Sequence, residues 1–178
     1  MGSSFMKVLR LTSLPNFGPE CKNVRHNAQN LCGFWAFSKP PMTQESIDVA
    51  IEMFGIEIPK NASNPTLDMK LEDRGLTTLN GWGKKLEVTV GPAAFTSWAV
   101  LGSTLAHEVE IHCNQNFALI RMKDMLGLEG TNGAEREAYM HELSNSDRFH
   151  LKDADQSSIR ATMDYYYPTQ NGSLTARK

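Results

Sequence analysis

The sequence has few of the features that define several large protein classes. Three cysteines occur in 178 residues, and Cys21, Cys32 and Cys113 form no C-x-x-C pair or other close cluster. A disulfide-rich scaffold or a cysteine-ligated zinc site is therefore not expected, although the spacing allows a Cys21–Cys32 bridge. No apolar run approaches the roughly 18–20 residues that cross a bilayer, and the amino terminus lacks the apolar stretch of about 7–15 residues found in secretory signals. We expect a soluble protein without a conventional signal peptide and without a membrane partner.

An excess of charge of either sign is also missing. Lys and Arg total 18 against 20 for Asp and Glu, which gives a formal net charge of −2. Proteins that grip nucleic acid along a broad face carry a basic excess, so the composition indicates no nucleic-acid partner. The hydrophobic fraction of 40% is typical of a globular chain and argues against disorder. The length suits one domain, and we expect 1–178 to form it.

The first half of the chain predicts loops, one helix and two strands. Residues 1–40 are rich in Asn, Pro and Gly and show no sustained period. Over 41–92, a helix is predicted between Thr43 and Gly55, and alternating apolar residues predict strands at 67–71 and 86–90. Asn80-Gly81 and Gly83 lie between the strands and supply the residues of a hairpin turn.

The second half, 97–168, predicts helices. One long helix runs from Ser97 or Thr104 to about Leu126, where Gly127 ends it. A second helix is predicted after Gly133, ending near Ser144, and a third from Asp155 to Tyr167, with Ile159, Met163 and Tyr166 on one face. Together the segments predict an α+β fold, with a small antiparallel or mixed sheet packed on a central helix and further helices towards the carboxyl end.

The predicted long helix carries polar residues in an apolar setting. It is apolar almost all round, so it should be buried. Its middle turns nevertheless contain His107, Glu108, His112, Gln115 and Asn116. Buried ionisable groups are costly unless they are paired or hold a metal. These turns are therefore the first candidate functional site.

Two histidines that bracket a glutamate are the components of a zinc hydrolase. Imidazole nitrogens bind zinc, and a neighbouring carboxylate can take a proton from water. The usual spacing is H-E-x-x-H, whereas His107, Glu108 and His112 form H-E-x-x-x-H. At about 100° per residue, His107 and His112 diverge by roughly 140° on a regular helix. A shared ion therefore requires an extra residue in the helix, such as a π-bulge.

A regular helix leaves two alternatives open. Glu108 and His112 are four residues apart and could act together as the acid and base of a metal-independent toxin enzyme. The same pair could instead be a hydrogen-bonded network that only fixes the packing of a non-enzymatic binding domain.

The next predicted helix supplies candidates for a third zinc ligand, which a catalytic site requires. Glu137 and His141 are four residues apart and share a face, and Ala138 is small enough for close helix packing. Glu135 is the other acidic candidate, although the helix dipole alone favours acidic residues near a helix start. His141 is a candidate for polarising a substrate oxygen, with a supporting or surface role as the alternative.

The motifs of these two helices resemble a known family. H-E-V-E-I-H at 107–112 followed by E-R-E-A-Y at 135–139 is similar to the zinc motif of zincin metallopeptidases of the gluzincin kind. Together with G-P-A-A-F at 91–95, these motifs resemble peptidase toxin domains found at the carboxyl end of bacterial polymorphic toxins and secretion-system effectors. The resemblance covers about residues 67–145.

The resemblance implies a zinc-dependent peptidase or amidase with a zincin-like fold. It implies that His107 and His112 are zinc ligands, that Glu137 is the third ligand with Glu135 as its alternative, and that Glu108 is the general base. The strand at 86–90 resembles the edge strand along which zincins align a substrate backbone, with an ordinary sheet strand as the equally good alternative.

The same resemblance sets the expectations for partners and location. A peptide or a peptidoglycan-like cross-link is the expected substrate. The toxin setting adds delivery into a target cell and a cognate immunity protein as a further partner.

Overall fold

The structure, a computed structural model, describes residues 38–79 and 85–169. The predicted loops at 1–37, the Cys21–Cys32 bridge and the predicted turn at 80–84 lie outside the described residues. Within the described ranges the chain forms six α-helices and a three-stranded mixed sheet, which agrees with the predicted α+β class. The elements are α1 (Gln44–Phe54), β1 (Thr66–Leu67), β2 (Gly75–Leu79), β3 (Leu86–Val90), α2 (Trp98–Ala106), α3 (Phe117–Met125), α4 (Gly130–Ser144), α5 (Ser146–Phe149) and α6 (Asp153–Tyr166).

Helix α1 begins and ends where the sequence predicts. The Thr43 hydroxyl accepts a hydrogen bond from the backbone N–H of Ser46 at 3.3 Å, which caps the first turn. Gly55 ends the helix in the left-handed conformation, with φ of 60°, that glycine adopts without a steric penalty. Ile47 and Phe54 lie on the buried face.

The sheet has the order β1-β3-β2, with β3 in the middle. β1 pairs with β3 in parallel, and β2 pairs with it in antiparallel register, with Gly75 opposite Val90 and Leu79 opposite Leu86. The strand predicted at 86–90 is therefore present, but it is the central strand. The expectation that it forms the substrate-aligning edge is wrong, because strands flank it on both sides.

The strand predicted at 67–71 is mostly a turn. β1 ends at Leu67, after which the Asp68 side chain accepts from the Lys70 N–H at 2.9 Å. The Asp68 carbonyl also accepts from the Leu71 N–H at 3.2 Å, so local turn bonds override the alternating pattern. β2 supplies the antiparallel partner of β3 instead. Its sequence did not predict a strand, because in β2 the threonine Thr77 is buried and the leucines are exposed.

Helix α2 is the centre of the core, as predicted for the apolar helix. Every residue of α2 is buried. It packs against α1, α4 and α5, and the approach to α1 is so close that a Cβ on Gly102 would overlap the Phe54 ring. The Ser97 hydroxyl caps its first turn by accepting from the Val100 N–H at 3.1 Å.

The single long helix predicted up to Leu126 is interrupted in the structure. α2 continues into a π-helical turn, His107–Ile111 (the π turn), and then a short 3₁₀ turn, His112–Asn114. Gln115 is extended, and the Asn116 side chain starts α3 by accepting from the Leu119 N–H at 3.0 Å. A capping asparagine thus begins a new helix where periodicity alone predicted continuity.

The carboxyl-terminal helices follow the prediction with local differences. α4 begins at Gly130, earlier than expected, and ends at Ser144 as predicted. In α6 Ile159 and Met163 are buried, whereas Tyr166, at the last position of the same face, is 67% exposed. Among the residues described, no helix combines the length and the apolar character needed to cross a membrane.

Candidate metal centre

The π turn brings the two histidines of the motif together. The backbone N–H of His112 donates to the carbonyl of His107, five residues back, as well as to that of Glu108. The wider turn directs both rings to the same side, and their Nε2 atoms are 3.1 Å apart. The sequence analysis required a π-bulge for the two imidazoles to converge, and this prediction is confirmed.

A carboxylate from α4 completes a group of three potential ligands. The Glu135 carboxylate lies 3.7 Å from His107 Nε2 through one oxygen and 3.5 Å from His112 Nε2 through the other. Ligand atoms of the three residues all lie within 4.8 Å of one another. Both histidines are buried and Glu135 is partly exposed, so the group is open on one side.

Glu137, the expected third ligand, does not belong to this group. Its carboxylate accepts from the Gln115 side-chain amide at 2.9 Å. On α4, residues Glu135, Tyr139 and Glu142 share one face, whereas Glu137 lies about 200° round the helix from Glu135. The structure therefore gives Glu135, the alternative, the place that the sequence analysis assigned to Glu137.

His141, the second expected catalytic residue, also lies away from the group. Its Nε2 is 2.9 Å from the Glu110 carboxylate, and the Asn145 amide donates to its carbonyl at 2.9 Å. The helical face that Glu137 and His141 share is thus turned away from the group formed by His107, His112 and Glu135. The spacing of four residues correctly predicted that Glu137 and His141 share a face. The face of α4 that approaches His107 and His112 is, however, the one that carries Glu135.

The Nδ1 atom of His107 is held by a buried carboxylate. It lies 2.8 Å from Glu142, whose side chain is fully buried. Glu142 also accepts two bonds from the Arg74 guanidinium, at 3.0 and 3.3 Å. Burial raises the pKa of Glu142, but the charge of Arg74 and the bond to His107 outweigh it and lower the pKa to about 2. Glu142 is therefore an ionised acceptor, and His107 donates to it from Nδ1.

The Nδ1 atom of His112 is held by an amide oxygen. It lies 2.7 Å from Gln115 Oε1. The amide nitrogen of Gln115 donates to the Ala134 carbonyl and to Glu137, both at 2.9 Å, which fixes the orientation of the amide. His112 therefore also donates from Nδ1. Glu137 thus orients the Gln115 amide, which in turn orients the His112 ring.

These bonds leave three acceptors facing one another. When Nδ1 carries the proton, the Nε2 of a neutral imidazole presents a lone pair. The lone pairs of His107 and His112 and the carboxylate of Glu135 then converge with no donor among them. Burial lowers the pKa of His107, yet its hydrogen bonds to Glu135 and Glu142 outweigh this effect and raise the pKa to about 9. In the metal-free chain a proton thus occupies a place that suits a cation.

The spacing of the three acceptors fits zinc. Tetrahedral bonds of about 2.0–2.1 Å place ligand atoms about 3.3 Å apart. The two Nε2 atoms are 3.1 Å apart, and their nearest Glu135 oxygens, one for each ring, lie at 3.5 and 3.7 Å. With a single Glu135 oxygen the three atoms lie within 4.8 Å of one another, so the carboxylate would move inward to bind the ion. Two histidines and one glutamate also form a donor set of catalytic zinc, which keeps its fourth position open. The residues present therefore fit this metal.

Glu108 lies beside the cluster, buried under the edge of the sheet. Its carboxylate accepts from the Thr77 hydroxyl of β2 at 2.7 Å. A Cβ on Gly75 would lie 2.6 Å from the same carboxylate, so glycine is required for this close approach. Burial raises the pKa of Glu108, and the nearby imidazoles His107 and His112 only partly oppose that effect.

The cluster opens into a cleft of about 630 Å³ instead of a filled core. Strand β2, α2, α4 and α6 contribute its walls. Residues of the cluster and of its surroundings line the cleft: His107, Glu108, His112, Glu135, Gly75 and Thr77. A network that served only packing would not need this access, so the cleft makes the cluster reachable for a ligand.

Two tyrosines of the cleft were missed by the sequence analysis. Tyr139 packs edge-on against His107, with ring centroids 4.8 Å apart, and the Arg74 guanidinium lies 5.9 Å from its ring centre. Tyr167 lines the cleft just beyond α6, and burial together with the charge of Glu135 raises its pKa to about 12. A search for residues four and seven positions after Glu135 would have found Tyr139 and Glu142.

Cys113, which directly follows His112, is a buried thiol. Its exposed fraction is 1%. Burial and the charge of Glu108 raise its pKa to about 11, so little thiolate forms near neutral pH. The site thus offers a carboxylate and two tyrosines, not a sulfur nucleophile.

Comparison of the chain with protein-family models, with curated proteins and with solved structures returned no match. The likeness to zincins stays a prediction from the motifs. The function is therefore inferred from the geometry of the site.

Proposed function

We propose that the protein is a zinc-dependent hydrolase that cleaves peptide or related amide bonds. His107, His112 and Glu135 would hold the ion, which supplies a Lewis acid and lowers the pKa of water. The observation that carries the proposal is the convergence of one ligand atom from each of the three residues within 4.8 Å, next to the cleft.

Glu108 is the general base in this proposal. It follows the ligand His107 directly in the chain, and the Thr77 hydroxyl fixes its carboxylate from the opposite side. A pKa raised by burial moves the carboxylate towards the range in which a general base works best. Glu108 would take a proton from the attacking water and pass it to the leaving nitrogen.

The open edge of β2 offers a place for an extended substrate. The N–H of Gly91 donates to the Arg74 carbonyl at 2.9 Å, so the antiparallel ladder directs the backbone groups of Gly75 and Thr77 away from β3. No strand among the described residues pairs with this edge. A peptide added there would run past Glu108, and this supports a peptide-like substrate.

Tyr139 and Tyr167 are candidates for stabilising the oxyanion of the transition state. Both line the cleft, and burial raises the pKa of each, so both hydroxyls are protonated donors at neutral pH. They take the role for which the sequence analysis had considered His141. Delivery as a toxin and an immunity partner are proposed on the motif resemblance alone.

Metal analysis tests the proposal most directly. Protein purified without added metal should take up one zinc ion per chain when titrated, as measured by calorimetry and elemental analysis. His112→Ala should abolish stoichiometric uptake, whereas His150→Asn, a change at a left-handed position that asparagine tolerates, should not. The zinc-loaded protein should cleave a mixture of peptides and peptidoglycan fragments, followed by mass spectrometry. Wild-type protein that takes up no zinc would overturn the proposal.

A further inference from the structure

A second polar cluster is built on the π turn, away from the zinc ligands. Arg148 donates to both oxygens of Glu110, at 2.7 and 2.9 Å, in a two-pronged ion pair. His141 lies 2.9 Å from the same carboxylate through its Nε2. We call Glu110, His141 and Arg148 the Glu110 clamp. Its three side chains are each between one-fifth and one-third exposed, so they are partly shielded from solvent.

The clamp connects the π turn to three helices. Besides Glu110, Arg148 of α5 donates to the Phe54 carbonyl at the end of α1, at 2.8 and 3.1 Å. Its guanidinium also lies 4.9 Å from the centre of the Phe149 ring, which is fully buried. His141 belongs to α4, whose first turns carry Glu135. The position of Glu110 is thus fixed by side chains that are themselves fixed.

The π turn needs such support because its geometry is uncommon. π-helical turns are rare and occur mostly as single turns within α-helices. The turn His107–Ile111 contains neither glycine nor proline to favour an irregular backbone. If it relaxed to regular α-helix, His107 and His112 would diverge by roughly 140° and could not share an ion. Glu110 lies inside the turn, between Glu108 and His112. Fixing its side chain therefore fixes the directions in which these two side chains leave the helix.

We infer that the Glu110 clamp is a positioning device that holds the π turn open and so keeps His107 and His112 convergent. The inference rests on the proposed zinc site for its function, but not for its structural test. Glu110, His141 and Arg148 do not belong to the ligand group, so their effect on metal binding passes through the backbone.

Hydrogen exchange of the metal-free protein tests the clamp without reference to zinc. Glu110→Gln should speed amide exchange in a peptide covering 107–115 by about tenfold or more, because the charge of the ion pair and one of its two acceptor oxygens are lost. Glu52→Gln, the same change at an exposed position of α1, should leave that peptide unaffected. Arg148→Lys keeps the charge but loses the two-pronged contact with the carboxylate, so the exchange rate of the same peptide should increase by a smaller factor.

Metal binding gives the second readout. Glu110→Gln should weaken zinc binding by about 10–100-fold, the range typical of residues behind the ligands. The visible absorption of the cobalt-loaded variant should also shift, since the coordination geometry changes. A fall in overall stability alone would not produce that shift.

The outcomes separate the two proposals. Unchanged exchange at 107–115 in Glu110→Gln, or faster exchange throughout the protein, would overturn the clamp even if the wild type binds zinc. A wild type that binds no zinc would overturn the proposed function, while local exchange would still decide whether the clamp holds the π turn.

Discussion

The two faces of the π turn both carry glutamate and histidine side chains, but they differ in the numbers of hydrogen-bond donors and acceptors. On one face the Glu110 carboxylate meets the donors of Arg148 at 2.7 and 2.9 Å. On the other face the Glu135 carboxylate meets the Nε2 atoms of His107 and His112, which are acceptors in the neutral rings because Nδ1 carries the proton. The first cluster pairs an acid with a permanently charged arginine, whereas the second brings together three groups that all act as acceptors when the imidazoles are neutral. The Glu110 clamp therefore has the hydrogen bonding of a structural support, whereas the His107, His112 and Glu135 group has that of a cation site.

Glu108→Gln should have the largest effect on catalysis, and it tests the face that carries His107, His112 and Glu135. It removes the proton acceptor but keeps the shape and the bond from Thr77, so kcat should fall roughly 10²–10⁴-fold. Zinc content, measured by elemental analysis, should remain near that of the wild type. Loss of zinc from this variant would instead make Glu108 a ligand and break the proposed division of roles.

Glu135→Gln and Glu137→Gln compare two glutamates that are neighbours on α4. Glu135→Gln should weaken zinc binding by more than the roughly 10–100-fold typical of a residue behind the ligands. Glu137→Gln should have only a small effect, since a glutamine can still accept from Gln115. Calorimetric titration of both variants measures the difference. The opposite order would restore Glu137 as the third ligand.

Gly75→Ala tests the close approach of β2 to Glu108. A Cβ at 2.6 Å from the carboxylate must displace it, and a displacement of about 1 Å can lower the rate by roughly 10²-fold. Gly133→Ala is the matched control, because nothing lies within 4 Å of its Cβ position. Both variants are compared by kcat and by zinc content. Equal rates in the two would place Glu108 outside the reaction.

The pH dependence of zinc affinity tests the state of the metal-free cluster. Because the pKa of His107 is raised to about 9, its ring is protonated at neutral pH and must release that proton to bind zinc. Affinity should therefore rise about tenfold per pH unit for each proton released, and level off above about pH 9. In the metal-free protein the stabilisation due to protonated His107 is full below about pH 6.5 and is lost as the pH approaches 9. Titrations in buffers of different ionisation enthalpy measure the release, and pH-independent affinity would contradict it.

The sequence predicted the parts of the site that depend on local spacing. The helix ending at Gly55, the buried α2 and the need for a π-bulge between His107 and His112 all follow from periodicity and helix geometry. The break at Asn116 and the turn at Asp68 were missed, because single side-chain bonds to the backbone decided them.

The remaining errors concern which faces of neighbouring elements meet. Glu135 and Glu137 have the same side chain, and only the packing of α4 on the π turn distinguishes them. The place of β3 in the sheet likewise depends on β1 and β2, whose pairing joins segments distant in the chain. Such contacts leave no periodic trace in one sequence.

Arg74, Glu142 and His107 form one chain of hydrogen bonds from the sheet to the π turn. Arg74 immediately precedes β2, so the first of the three residues lies at the entrance to the open strand edge. An ion bound by His107 would therefore tighten, through Glu142, the anchoring of the rim along which a peptide would lie. The unfolding temperature should rise with zinc concentration, and protease cleavage near Arg74 should slow. The ion would then have a second role, which is to hold the open edge of β2 in place.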